Sequence, residues 1–297
     1  MASNSSISSG IDSLNSIKTD LTNIAQQSNS PIIDLRSASD FSLEHWAGAS
    51  HFYAENIIER LYELPKRNQA LILYGSQSDI KKAQQKLTKK GYTIDAIFEW
   101  TPQLKLALSD LKLLEVGDSS PLLWSPAPIL EKFHELYFDE SKIGRALDIA
   151  CGSGRDSVYL ATKGWQVDSV DYLPDALNKV NLLAKNTRVN LNTFLADLEN
   201  DQGKFLTNCH KYQLITVMRY LHRPLLPLIK QRIASGGYLV YQTFLRGCEK
   251  FGSPKRARFL LEEGELAQAF DGFKILLDEI HYLEDGRPTN VFIARCQ

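Results

Sequence analysis

The chain has 297 residues, which is long enough for two domains of ordinary size. Its 34 basic and 35 acidic side chains nearly cancel, so no overall charge attracts nucleic acid or a membrane surface. The sequence shows no secretion or transit signal, no apolar run of the roughly 18 residues that span a membrane, and no CxxC pair that would indicate zinc. These features predict a cytoplasmic protein with no metal site.

Residues 1–28 are rich in Ser and Asn, which is typical of a tail, yet their apolar residues follow a helical period. These residues recur at three- and four-residue steps: Ile7, Ile11, Leu14, Ile17, Leu21 and Ile24. The spacing predicts a short amphipathic helix. Such a helix either docks on its own protein or binds a partner.

Residues 29–101 alternate strand and helix patterns. The predicted elements are strand PIIDL (31–35), helix ENIIERLYEL (55–64), strand ALILY (70–74), helix SDIKKAQQKLTKKG (78–91) and strand DAIFEW (95–100). This alternation indicates an α/β domain with a mainly parallel sheet. We expect residues 102–120 to form a linker to the next domain.

The stretch PIIDLRSASDFSLEHWAGASHF (31–52) resembles the start of rhodanese-like domains. The matching positions are Ile33, Asp34 and Arg36, followed by His45, Gly48 and Ala49. Active members carry a persulfide on a cysteine after the strand that corresponds to ALILY, where this chain has Gly75. Sulfur transfer requires a thiolate, and no cysteine precedes Cys151. The resemblance therefore implies a non-catalytic domain that serves as a scaffold or regulator, with a protein partner that the sequence does not identify.

Ser76 and Asp79, directly after Gly75, have the spacing of a helix capping box. In that arrangement the serine and aspartate side chains occupy the first N–H donors of the helix. The alternative is that these donors bind an anion.

Residues 121–297 form a second α/β series. Its predicted elements are helix 128–137, strand 145–150, helix 155–164, strand 166–171, helix 174–185, strands 191–197 and 212–218, helix 224–234, strand 236–245, helix 263–270, and strands 273–283 and 290–296. We expect a second, mainly parallel sheet with helices on both faces.

A glycine loop follows the first strand of this series, RALDIA. Gly152 and Gly154 allow the backbone to approach a ligand closely, and Asp171 ends the next strand 17 residues after Gly154. A carboxylate at that position suits a ribose diol. A dinucleotide is one candidate ligand, but the third glycine of its motif is Ser157 and Asp148 would repel a diphosphate. S-adenosylmethionine, which has no phosphate, is the second candidate, and a purely structural turn is the third.

The spacing D-x-x-C-G-x-G with the later Asp171 resembles motif I of class I S-adenosylmethionine-dependent methyltransferases, and the segment 153–171 is close to the tellurite-resistance type. The family usually has Gly where Ala150 stands. The resemblance implies a Rossmann-like seven-stranded sheet with an antiparallel last strand. It also implies a cofactor site in which Asp148 and the loop Ala150, Cys151, Gly152 and Gly154 hold the methionine part, Asp171 the ribose and Asp197 the adenine.

The strand YQLITVM leads into a turn whose side chains should face the transferred methyl group in such a fold. Arg219 and His222 are the candidate catalytic residues, and Arg223 adds a further positive charge. His222 is either a general base or a hydrogen-bonded structural residue. A later insert with five basic residues is either a lid over an anionic substrate or a solvated loop, and Trp124 is a candidate anchor beside the cofactor.

The sequence as a whole predicts an S-adenosylmethionine-dependent methyltransferase that is joined to an inactive rhodanese-like domain. The acceptor is expected to be a small molecule, because basic stripes interleaved with aromatic residues, which would favour nucleic acid, are missing. The alternative is a non-catalytic regulatory protein that binds S-adenosylmethionine.

Overall fold

The computed structural model describes residues 4–200 and 204–297. The chain divides into two compact units, residues 1–124 and residues 125–297, which we describe separately.

The first unit contains a parallel sheet of four strands in the order β3-β1-β4-β5. Its elements are α1 (Asn4–Gln27), β1 (Ile32–Asp34), α2 (Ala38–Leu43), β2 (His45–Trp46), β3 (Ser50–His51), β4 (Leu71–Gly75), α3 (Gln77–Lys89), β5 (Ile94–Glu99), α4 (Pro102–Asp110) and β6 (Leu114–Glu115). The central strand β4 is buried along its whole length, as expected for a parallel strand that is covered on both faces.

The expected N-terminal helix is present as α1, and it packs on its own unit. Leu21 is fully buried, and Leu14, Ile17 and Ile24 pack against the same core as α4. Lys18 adds an ion pair to Asp110 at 2.6 Å. The side chains of Ile7 and Ile11 lie outside the described residues.

Two segments of this unit differ from the sequence expectation. Residues 55–64 form turns and one short 3-10 helix, because Pro65 disfavours a helical conformation at the preceding residue and Leu64 is extended. Residues 102–110, expected to belong to a linker, form helix α4. Its N-cap is Thr101, whose hydroxyl accepts the N–H of Leu104 at 3.2 Å, and Pro102 occupies the first turn.

The second unit contains a seven-stranded mixed sheet in the order β12-β13-β11-β10-β7-β8-β9. Its elements are α5 (Pro128–Leu136), β7 (Arg145–Ile149), α6 (Arg155–Thr162), β8 (Gln166–Asp171), α7 (Pro174–Thr187), β9 (Asn192–Leu195), α8 (Lys204–Asn208), β10 (Tyr212–Met218), α9 (Leu226–Arg232), β11 (Ile233–Phe244), α10 (Glu265–Ala269), β12 (Lys274–Tyr282) and β13 (Pro288–Arg295). Strand β13 runs antiparallel to both of its neighbours, whereas the strands from β11 to β9 are parallel. The expected α/β sheet with its antiparallel last strand is confirmed.

The order in which successive strands are added to the sheet reverses between β7 and β10, two neighbouring parallel strands at its centre. Ligands of open parallel sheets bind outside the carboxyl ends of the strands at such a reversal, because the loops on either side diverge there. The two strands are anchored by residues that are fully buried, including Leu147, Ile149, Ile215 and Val217. The sheet thus provides a rigid floor for the loops that follow β7, β8, β9 and β10.

Among the described residues, none of the helices has the length and apolarity that a membrane span requires.

Candidate active site

A cavity of about 280 Å³ opens at the carboxyl ends of these strands. Its walls come from the ends of β7, β8, β9 and β10 and from the insert after β11. The lining residues are Ala150, Val170, Asp171, Tyr172, Ala196, Asp197, Leu198, Glu199, Asn200, Tyr220, Arg258 and Phe259. Three of the predicted cofactor residues, Ala150, Asp171 and Asp197, therefore lie together in one cavity.

The loop between β7 and α6 uses backbone conformations that favour glycine. Ala150, Gly152 and Gly154 have φ angles of +56°, +56° and +81°. A Cβ atom at Gly154 would lie 2.6 Å from a methyl carbon of Val180, so this glycine allows α6 and α7 to pack closely. A Cβ atom at Gly152 would meet no atom within 4 Å, so open space remains beside the loop at that residue. Ala150 accepts a left-handed conformation that is costly for a residue with a side chain.

Asp148 is placed at the end of β7 but is only 1% exposed and does not line the cavity. Its carboxylate accepts hydrogen bonds from the hydroxyls of Ser157 at 2.5 Å and Thr216 at 3.2 Å. Burial, and then the nearby charge of Asp156, raise the pKa of Asp148 well above the usual range of a carboxyl group. Asp148 thus ties β7 to α6 and β10 from inside the unit.

Asp171, at the end of β8, is the carboxylate that joins the loop to the cavity. One of its oxygens accepts the N–H of Gly152 at 2.9 Å, and the other accepts the N–H of Leu173 at 3.0 Å. A carboxylate has about four acceptor positions, so each oxygen retains the capacity for a further hydrogen bond. The side chain is 7% exposed and lines the cavity. Asp171 therefore presents free acceptor capacity to the cavity.

Asp197, after β9, lies on the same wall and is exposed. Its oxygens accept the side-chain amide of Asn200 at 2.8 Å and the backbone N–H groups of Glu199 and Asn200 at 3.1 and 3.2 Å. The hydrogen bond from the Asn200 side chain is the main reason that the pKa of Asp197 is lowered. Asp197 is therefore ionised at neutral pH and shapes the turn 197–200.

Cys151 does not have the properties of a nucleophile. Burial, together with the negative charges of Asp148 and Asp171, raises the pKa of its thiol. The protonated sulfur belongs to the loop and is absent from the cavity lining.

The two candidate catalytic residues lie beside the cavity rather than in its lining. Nδ1 of His222 is 4.0 Å from a carboxylate oxygen of Glu199, which does line the cavity. Arg219 has a left-handed φ of +57°, and its pKa is lowered by burial and then by the positive charges of Arg155 and Arg287. Strained backbone at both Ala150 and Arg219 marks the ends of the two central strands.

Arg223, expected to add a further positive charge to the site, is instead paired with a carboxylate. Its guanidinium donates to both carboxylate oxygens of Glu265, at 2.6 and 2.8 Å. The insert after β11 packs against its own unit, since Leu260 and Leu261 are fully buried and Arg258 and Phe259 line the cavity. Trp124 is buried, is the last residue of the first unit and is absent from the lining.

Sequence reasoning missed seven of the lining side chains: Val170, Tyr172, Ala196, Leu198, Glu199, Asn200 and Phe259. Four of these follow directly after predicted strand ends, and that position was the available signal. Phe259 belongs to the insert, in which only the basic residues carried a sequence signal.

The charge of the cavity suits a cationic ligand better than a diphosphate. Asp171, Asp197 and Glu199 line it together with a single basic side chain, Arg258. The open space at Gly152, the acceptor capacity of Asp171 and the acidic lining all fit a nucleoside that carries a sulfonium and an ammonium group, the description of S-adenosylmethionine.

In the first unit, the corresponding edge of the sheet offers no cradle for a persulfide. Strand β4 ends at Gly75 and helix α3 begins at Gln77, with Ser76 as its N-cap. Ser76 accepts the N–H of Asp79 at 3.2 Å and donates to the carboxylate of Asp79 at 2.6 Å, so the expected capping is present. A Cβ atom at Gly75, where φ is +157°, would lie 3.1 Å from Cβ of Leu35. The backbone itself thus favours glycine at this position.

A buried ion pair fills the adjoining part of that edge. Arg36 contacts the carboxylate of Asp34 at 2.6 Å, and its guanidinium carbon lies 3.8 Å from the ring centroid of Trp100. The hydroxyl of Tyr74 also donates to Asp34, at 2.6 Å.

The comparisons with known proteins concern mainly the second unit. The family model "Tellurite resistance protein TehB" matches residues 138–285. The "Probable S-adenosyl-L-methionine-dependent methyltransferase TehB" of Haemophilus influenzae is 24% identical over 150 residues, which cover 48% of this chain and 51% of that protein. The chain thus spans about half the length of this relative. The crystal structure of TehB from Haemophilus influenzae gives a TM-score of 0.47 at 20% identity, over 57% of this chain and 62% of that one.

A relative of similar length exists in Schizosaccharomyces pombe. Its "Uncharacterized protein UNK4.09" is 26% identical over 317 residues, and the alignment covers 89% of this chain and 92% of that protein. The similarity therefore extends over both units.

The sheet order and the cavity at its carboxyl edge give the second unit an α/β methyltransferase-like fold. More specifically, residues 138–285 match the TehB family model, and this part of the chain is similar to a probable S-adenosylmethionine-dependent methyltransferase. This match supports S-adenosylmethionine as the cofactor. The rhodanese-like character of the first unit stays a prediction.

Proposed function

We propose that the protein transfers a methyl group from S-adenosylmethionine to a small-molecule acceptor, and that the first unit is a non-catalytic rhodanese-like scaffold or regulator. The observation that supports this best is the position of Asp171, which accepts the N–H of Gly152 and also lines the cavity. One carboxylate thereby links the glycine loop to the space where a ribose would bind.

The residues of this chain divide the binding task. Asp171 would hold the ribose hydroxyls, and the turn at Asp197 would border the adenine. The loop from Ala150 to Gly154 would accommodate the methionine part, while Asp148 fixes that loop from inside. When bound, S-adenosylmethionine supplies an electrophilic methyl group on sulfur.

Most of the rate acceleration would come from holding the acceptor in line with the methyl group. Tyr220, directly after β10, lies on the wall of the cavity nearest the reversal of the sheet. Its carbonyl accepts the hydroxyl of the fully buried Tyr241 at 2.9 Å, so this wall is anchored to the core. The name of the matched family directs attention to chalcogen oxyanions as acceptors, and thiolates are the related alternative.

His222 is expected to be dispensable for chemistry if the acceptor is already a strong nucleophile. A general base contributes roughly 10²- to 10⁴-fold to the rate, so we expect His222→Ala to lower kcat by less than about 100-fold. The affinity for S-adenosylhomocysteine should stay unchanged, because His222 does not line the cavity. A larger loss of kcat with intact affinity would identify His222 as the base.

Arg219 is expected to act on the acceptor, since it directly precedes the lining residue Tyr220 and its positive charge lies close to those of Arg155 and Arg287. Arg219→Ala should therefore raise the KM of the acceptor and leave cofactor affinity unchanged.

The proposal is tested by incubating the full chain with S-adenosylmethionine and a panel of acceptors: tellurite, selenite, small thiols, amines and phenols. Acceptor-dependent formation of S-adenosylhomocysteine, measured by mass spectrometry, is the expected result. Tight binding of S-adenosylmethionine without any such product would favour the non-catalytic regulatory alternative.

A further inference from the structure

Arg223 makes contacts that an ordinary surface ion pair does not need. Its guanidinium donates to both oxygens of Glu265 at 2.6 and 2.8 Å, to the carbonyl oxygen of Leu260 at 2.8 Å and to that of Arg258 at 3.1 Å. Four hydrogen bonds thus use most of the five N–H donors of one guanidinium. Glu265 in turn accepts the N–H of Glu262 at 2.9 Å.

The two carbonyls that Arg223 binds flank Phe259, a residue of the cavity wall. Arg258 and Phe259 line the cavity, whereas the next residue, Leu260, is fully buried and anchors the segment. A hydrogen bond on each side of Phe259 fixes the backbone on either side of its side chain. Arg223 therefore holds the backbone on both sides of this lining residue.

The insert 246–260 is also attached at its base, where its two ends meet next to the sheet. Leu245 and Leu261 form a parallel bridge next to the sheet. The N–H of Leu261 donates to the carbonyl of Phe244 at 2.9 Å, and the N–H of Arg246 donates to that of Leu261 at 3.0 Å. These bonds close the loop at its ends. Phe259 itself lies in a short 3-10 turn, where its N–H donates to the carbonyl of Arg256 at 3.0 Å, and the hydrogen bonds of Arg223 tie this turn to the region after β10.

Arg223 also lies beside the opposite wall of the same cavity. It directly follows His222 in the turn after β10, and that turn includes the lining residue Tyr220. A single guanidinium thus connects the turn after β10 with the insert after β11. The bidentate contact with Glu265 fixes the orientation of the guanidinium plane, which a single-point contact would leave free.

We infer that Arg223 and Glu265 form a clamp that positions Phe259 and Arg258 on the wall of the cavity, and that the clamp sets ligand affinity through Phe259 rather than by touching the ligand. This inference rests on the proposed function, because it assumes that the cavity binds the methyl donor and its product. Arg223 and Glu265 are accordingly positioning residues.

A double-mutant cycle with S-adenosylhomocysteine as the probe tests the inference. In calorimetry on the full chain, Arg223→Met and Phe259→Ala should each raise the Kd by roughly tenfold. The double variant should show roughly the same tenfold increase, because Arg223 has no further effect once Phe259 is absent. Additive effects, giving about a hundredfold increase, would overturn the inference, and so would an unchanged Kd in Arg223→Met.

Lys230→Met is the matched control. Lys230 on α9 pairs with Asp271, which follows α10, so this pair also links the region after β10 with the region of α10. Neither residue lines the cavity. Lys230→Met should leave the Kd unchanged. If Arg223→Met fails to fold, Glu265→Gln, which keeps the size of the side chain and removes its charge, takes its place in the cycle.

Hydrogen exchange separates failure of the clamp from failure of the proposed function. In the ligand-free protein, Arg223→Met should increase amide exchange in residues 256–261 and leave α7 unchanged. If the wild-type protein does not bind S-adenosylhomocysteine, the proposed function fails, and the exchange result alone decides whether the clamp holds the segment. Unchanged exchange in residues 256–261 would overturn the clamp in either case.

Discussion

Replacement of Asp171 by alanine tests whether this carboxylate holds a ribose. A hydrogen bond to a charged group contributes about 1.5–3 kcal/mol, so the loss of even one such bond should weaken binding at least tenfold. The variant also leaves the N–H groups of Gly152 and Leu173 without their acceptor, which should lower the free energy of unfolding by about 1–3 kcal/mol. We therefore expect a Kd for S-adenosylmethionine that rises at least tenfold, measured by calorimetry without added metal.

Two further variants separate the contribution of the charge from that of the loop. Asp171→Asn retains one acceptor oxygen and the size of the side chain, so it should lose less stability than Asp171→Ala while still weakening binding. Asp175→Ala removes an exposed carboxylate from the first turn of α7 that does not line the cavity, and its Kd should be unchanged. If Asp171→Ala folds and binds with the wild-type Kd, the cofactor edge has been assigned wrongly.

Three other predictions follow from local geometry. Gly75→Cys should show no thiosulfate sulfurtransferase activity, and measurable turnover would contradict this expectation. The variant should also lose about 1–3 kcal/mol of stability in chemical unfolding, because φ is +157° and the new Cβ would crowd Leu35. Ala150→Gly should raise the free energy of unfolding by about 1 kcal/mol, because it removes a side chain from a left-handed position. A lower stability in chemical unfolding would contradict the assigned strain. Burial, and then the charge of Lys163, lower the pKa of His134 to about 4. The folded protein therefore holds this imidazole in its neutral form, and the free energy of unfolding should fall as the pH drops from about 6.5 towards 4. His134→Phe should make this pH dependence shallower, and an unchanged slope would contradict the shift.

The alternation of strands and helices predicted most of the second unit, because fully buried parallel strands and amphipathic helices leave strong periodic patterns. The same reasoning located the loop 150–154 and Asp171, since both follow directly from strand ends. In the first unit the same reasoning failed for residues 55–64. Ile57 and Leu64 have helical spacing and are buried, but they lie in turns that end at Pro65. The reasoning also overlooked α4, although the pair Thr101-Pro102 is a typical helix start.

The role of Arg223 illustrates what local pattern cannot provide. The sequence places Arg223 four residues after Arg219 in the same turn, which predicts a further positive charge beside the site. Its partner Glu265 lies 42 residues later, and their contact depends on how the insert folds back over the sheet. The left-handed conformation of Ala150 also could not be predicted, because the identity of a single alanine does not determine its φ angle.

The most direct test of the central claim is the transfer of an isotopically labelled methyl group from S-adenosylmethionine by the full chain, followed by mass spectrometry of both products. The account predicts stoichiometric S-adenosylhomocysteine and one labelled small molecule, with turnover reduced in Asp171→Asn and preserved in Asp175→Ala. Labelled S-adenosylmethionine that binds but stays intact in the presence of the acceptor panel and of a small-molecule cell extract would contradict it.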